Sequence, residues 1–335
     1  MRLAGGRESA REGSGVSDEI WTEASQPKRL ILAKVLAIVT PWLAFRPYEG
    51  VVGDARLYLH YAAYGTDPAF RASDLFVSND QQMGRTIYIG FLRSLLAIRN
   101  VAESALLGAV IGLTAWIGSY AVLARVLFAR QWWVATAAMG AMYAHWGPLF
   151  TFAEPFASPR ALAEALAIGA IAAALTGRWW ASGALLIGSL LLHPLVAVGG
   201  LGTAVVLFVW GRRGLIFGLV VVAVAGLAVV LADPLGIAGV DQFDPEWLAI
   251  IERRAGVVFP GYWAPRAWLS IASGLAICVI GITTAPSESV RRLATASMIT
   301  SLVGLVVSIC FAWIVIDPLI AQIQPWRALW VMHIA

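Results

Sequence analysis

Apolar residues in this chain gather into long runs instead of alternating with polar ones. The runs fall near residues 31–47, 103–127, 132–147, 161–176, 180–193, 194–210, 214–233, 267–284 and 294–316. A further run begins near Trp326 and is cut off at Ala335, which sets up the expectation of a truncated reading frame. A bilayer core of about 30 Å takes about 20 apolar residues per helix, so runs of this kind predict membrane spans. The expected fold is all-α, a polytopic transmembrane helix bundle of about nine to ten spans over residues 31–335. Polar segments between the runs are unequal. One side of the predicted bundle has tight turns such as Gly211-Arg212-Arg213, and the other has loops near 48–102, 147–160 and 233–266.

The pair of runs over 180–210 could be one long span or two short ones, and charge decides between them. With two spans broken at His193-Pro194, Arg125, Arg130, Arg178, Arg212, Arg213, Arg291 and Arg292 all fall on one side. Basic residues in short loops mark the cytoplasmic side. A single span would split this set, so two spans are expected and the long loops lie outside. Residues 1–30 are polar and rich in Gly, Ser and Glu, which predicts a disordered cytoplasmic tail. The first apolar run follows Lys28 and Arg29 without a small-residue cleavage site, the pattern of an uncleaved signal anchor.

Composition agrees with the pattern. Hydrophobic residues make up 59% of the chain, charged residues 13%, and the mean hydropathy is +0.76. Soluble domains carry about a quarter charged residues, so this chain lacks the charge to cover a water-facing surface. The net charge of +4 is an orientation signal and not a nucleic-acid footprint, because no basic run is interleaved with aromatics. Arginine outnumbers lysine 22 to 2, which fits a GC-rich bacterial genome and suggests a bacterial plasma (inner) membrane. Cys278 and Cys310 sit in apolar runs with no metal or redox spacing and read as small buried hydrophobes.

Candidate chemistry collects in the outer loops. Just beyond the first span, Gly53-Asp54-Ala55-Arg56-Leu57-Tyr58 puts a carboxylate and aromatic rings on one face of a helix. Asp54 there either caps that helix or acts as a general base or cation ligand. Glu154 in the second loop is either a solvated acid or the second of two carboxylates, while Arg160 and Glu164 stand four apart and invite an intrahelical pair. His193, beside Pro194, is either structural or a proton carrier or ligand, and His145 is a weaker candidate. The segment 85–99 fits an interfacial amphipathic helix, as does 245–254 with Pro245 in its first turn. Arg253 and Arg254, basic on an outer face, suit either lipid head groups or a bound phosphate. Arg327 is either an anchor with Trp326 and Trp330 or a second phosphate clamp, and the 15 tryptophans read as interfacial belts. Walker A, GxGxxG, HExxH and GxSxG motifs are absent from the sequence.

An uncleaved first span, the outer GDARLYLHYA segment, the acid Glu154 and the late QPWRALW segment together resemble the GT-C superfamily of membrane glycosyltransferases. That resemblance implies a polyprenyl-phosphate-linked sugar as donor and transfer on the extracytoplasmic face. It implies Asp54 as the catalytic or acceptor-activating acid, Glu154 as the second acid, and Arg253, Arg254 or Arg327 on the lipid phosphate; Tyr58 and His193 are further candidates for substrate binding. The second loop has no Asp-x-Asp, so no metal ligand is assigned and a divalent-cation cofactor stays open. A transporter or flippase is the alternative, but it calls for ionisable residues near mid-bilayer, and only Glu103 and Glu164 stand at span edges. A non-catalytic membrane partner is a third reading, in which Asp54 would be dispensable.

Overall fold

The computed structural model describes residues 27–65, 67–68, 86–142, 152–210, 244–310, 321 and 323–335. The run at 214–233, His145 and residues 1–26 of the polar tail lie outside the described residues. Among the described residues all regular structure is helical. Among the described residues, three stretches are long and apolar enough to cross a membrane: Val101–Ala141, Pro265–Thr284 and Glu288–Cys310.

Helix α1 runs Lys28–Phe45 and α2 runs Asp54–Tyr64. Within the 85–99 segment, α3 runs Tyr88–Leu96. Helix α4, Val101–Phe128, starts at Asn100, whose side chain accepts from the Glu103 amide at 2.9 Å. Glu103 in its first turn and Arg125 in its last both complement the helix dipole. A 3-10 turn over Ala129–Gln131 follows, with Ala129 at φ 44°, and α5, Trp132–Met142, folds back along α4.

Helix α6, Pro159–Leu175, is the pillar of the bundle. Ser158 caps it by accepting from the Arg160 amide at 3.3 Å, and Pro159 takes the first position, where its missing N–H costs nothing. Alanine at 161, 163, 165, 167, 170, 172 and 174 is buried on several faces, so neighbouring helices approach closely. The fit against α8 is tight enough to need glycine: a Cβ on Gly200 would stand 2.7 Å from that of Ala167. Helices α7, Trp179–Leu192, and α8, Pro194–Phe208, are the expected pair, parted at His193. Helix α9 is Pro245–Ala255, capped by Asp244, which accepts from the amides of Glu246 and Trp247. Helices α10, Pro265–Thr284, and α11, Glu288–Val307, complete the series.

The region after Trp326 differs from its expected form as the start of a span. Pro325–His333 is a 3-10 helix packed against α8 and α11. Trp326 and Trp330 are buried there, and the Trp330 indole donates to the Val196 carbonyl at 3.1 Å. Trp42 and Trp116 are buried as well, so several tryptophans are core residues and not a belt. The indole is the largest apolar filler available, and the N–H groups of Trp42, Trp116 and Trp330 each find a carbonyl or carboxylate inside the bundle.

Candidate functional site

The first turn of α6 gathers the candidate acids. Arg160 extends its guanidinium fork to two carboxylates, with Nη1 donating to Glu154 Oε1 and Nη2 to Asp54 Oδ2. The two acids come from different segments, one opening α2 and the other in the loop before α6. The expected pairing of Arg160 with Glu164 does not form, because two carboxylates from outside its own helix take the fork instead. The capping role weighed for Asp54 also does not form. Gly53 holds the cap position at φ 50°, and Asp54 sits in the first turn without a side-chain cap bond. Phe156 seats the loop on this turn, its ring 3.4 Å from where a Gly53 Cβ would stand.

The two carboxylates differ in exposure. The Asp54 side chain is 37% exposed, while that of Glu154 is 3% exposed. Asp54 is therefore the acid that can meet a substrate, and Glu154 is the one that needs Arg160. Burial pushes the Glu154 carboxyl above its usual range, and Arg160 pulls it partly back.

Aromatic and basic groups surround this pair. Tyr58, one turn along α2 from Asp54, meets Tyr88 edge-on at 5.7 Å between ring centroids. Burial, with Tyr58 and Glu154 nearby, pushes the Tyr88 phenol up. Helix α3 is tied to the end of α7, since Thr86 Oγ1 donates to the Leu192 carbonyl at 2.7 Å and the Ile87 amide to that of Leu191 at 3.2 Å. This brings His193 to the same end, within the electric field of Arg160 and Arg327. Arg327 in turn feels Arg160, Glu154, Asp54 and Tyr58. Its guanidinium lies 5.2 Å from the Trp326 ring centroid, and its Nε donates to Gln324 Oε1 at 2.6 Å.

Comparison with protein-family models, curated proteins and solved structures finds no match for this chain.

Asp54, Tyr58, Glu154, His193 and Arg327 thus converge, and Arg160 joins them at the centre. Arg253 and Arg254 belong to another region. They are exposed on α9, which packs through Leu248, Ile251 and Ala255 on Val258, Phe259 and Ala321. Among the described residues no group of three or more His, Cys, Asp or Glu could hold a metal ion. The positive partner of the two carboxylates is Arg160.

Sequence reasoning missed the layer beneath the site. Arg46, buried at the end of α1, donates to the carbonyls of Phe152 and Ala153 and lies 4.3 Å over the Trp42 ring. Glu164, buried one turn along α6 from Arg160, accepts from Trp116 Nε1 at 2.7 Å and from the Ala153 amide at 3.0 Å. Ala153 has φ 43°, a region costing a residue with a Cβ about 1–2 kcal/mol. The available signal was a charge among apolar neighbours in each case: Arg46 at a span end, and Glu164 in an alanine-rich helix.

Proposed function

We propose that this protein is a polytopic membrane glycosyltransferase of the GT-C kind, with about nine to ten spans and a cytoplasmic N-terminus. In this reading it resides in a bacterial plasma membrane. It moves a sugar from a polyprenyl-phosphate donor to an acceptor on the extracytoplasmic face. The observation that carries the reading is the convergence of an accessible acid, Asp54, and a buried one, Glu154, on the Arg160 fork, with Arg327 in range.

Asp54 takes the proton of an acceptor hydroxyl as its oxygen bonds the anomeric carbon. The bond from that carbon to the phosphate oxygen breaks, and the polyprenyl phosphate leaves with the electron pair. Arg327 offsets the charge on the departing phosphate. Arg160 holds Asp54 in place, and Tyr58 and His193 line the approach. The energy comes from the activated donor, so no nucleotide is needed.

The test is turnover of polyprenyl-phosphate sugars by purified protein, comparing wild type with Asp54→Asn and Arg327→Ala. Loss of general-base assistance lowers the rate by about 10²–10⁴-fold in Asp54→Asn. Arg327→Ala lowers kcat and weakens donor binding. Wild type that binds the donor without transferring the sugar would move the reading to transport. Absence of donor binding would overturn it altogether.

A further inference from the structure

The loop that delivers Glu154 is held from beneath by two charged residues that have no part in the reaction as proposed. Three polar backbone atoms at the Phe152–Ala153 junction are held by side chains. Arg46 binds both carbonyls, reaching that of Ala153 at 3.3 Å, and Glu164 binds the Ala153 amide at 3.0 Å. The junction is one that the chain does not adopt for its own sake, because Ala153 stands at φ 43°. Each holder is itself anchored. Arg46 lies on the Trp42 ring, Trp42 Nε1 donates to the Thr136 carbonyl at 3.1 Å, and the same Glu164 oxygen that holds Ala153 also binds Trp116. The Trp42 and Trp116 rings stand 5.0 Å apart between centroids, which closes the frame across α1, α4 and α6.

We infer that Arg46 and Glu164 are positioning residues, a clamp that holds Ala153 in its left-handed turn and so aims the next residue, Glu154, at Arg160. Placing the clamp in catalysis rests on the proposed glycosyl transfer, whereas its hold on the loop does not. Glu164 acts through hydrogen bonds and not through its charge. One oxygen accepts from both donors, and a glutamine carbonyl does the same.

The experiment uses the full chain in lipid nanodiscs and reads two things: amide hydrogen exchange of the 152–158 segment, and kcat and KM for polyprenyl-phosphate sugar transfer. Glu164→Leu should speed exchange of the segment at least tenfold and lower kcat at least tenfold, with KM for the donor within threefold of wild type. Glu164→Gln should match wild type within threefold in both. Adding Ala153→Gly to Glu164→Leu should restore part of kcat, because glycine enters the turn unaided. Should Glu164→Leu fail to fold, Arg46→Met carries the same expectation from the carbonyl side. Unchanged exchange in the variants that remove hydrogen bonds, or a Glu164→Gln as impaired as Glu164→Leu, would overturn the clamp. A wild type that transfers no sugar sinks the proposed reaction, while the exchange rates still decide the clamp.

Discussion

Two arginine–carboxylate contacts in this molecule use the same chemistry to different effect. Arg291 pairs with Glu288 on the first turn of α11, three residues apart, with side chains 54% and 49% exposed. Arg160 pairs with Asp54 and Glu154, which reach it from other segments, and its own side chain is only 23% exposed. The first pair forms wherever that helix forms and water screens it. The second exists only if α2, the loop before α6 and α6 itself are all in place. An ion pair assembled across segments carries information about tertiary structure that an intrahelical pair does not.

Breaking the buried contact has the largest expected effect. Arg160→Leu leaves Glu154 buried without its cation, at a cost of about 3–5 kcal/mol near neutral pH. Thermal unfolding in detergent should show a lower midpoint, and the deficit should shrink in acid as Glu154 takes a proton. A milder probe sharpens the contrast. The folded Glu154 carboxyl lies above its usual value, so in the window from about pH 4.3 up to that raised value the native state holds more protons than the unfolded one. Its contribution to stability is therefore present at the acid end and is lost as pH rises through the window. Glu154→Gln should flatten that part of the unfolding midpoint against pH. Smallest of all, Glu288→Gln should change stability by less than about 1 kcal/mol, and added salt should erase the difference.

Local features were legible in the sequence. Pro245 marked the start of α9, and His193-Pro194 marked the break between α7 and α8. Asp54 and Glu154 stood out as acids bordering apolar runs. What the sequence withheld was long-range. Arg160 looked like a partner for Glu164 because helical spacing is visible, whereas a carboxylate 106 positions away is not. Arg253 and Arg254 looked equivalent to Arg327, and only packing separates exposed arginines on α9 from one beside the acids. Tryptophans misled for a related reason: in an apolar chain, a side chain facing lipid and one facing another helix have the same composition.

In the proposed nine-to-ten-span topology, the break at His193 also bears on the lipid around the protein. Helix α4 has 28 residues and α7 and α8 have 14 and 15. At 1.5 Å per residue these measure about 42 Å, 21 Å and 22 Å, against a hydrocarbon core of about 30 Å. Leu191, Ile187, Val205 and Phe208 face outward from the short pair, so its outer wall is apolar but low. A wall of this height across a bilayer would create hydrophobic mismatch, which a bilayer meets by thinning, at fractions of a kcal/mol per Å. In that topology the head-group layer would dip beside α7 and α8 toward the depth of His193, and the work of lifting an amphiphile's polar end out of the membrane would be smallest on that flank.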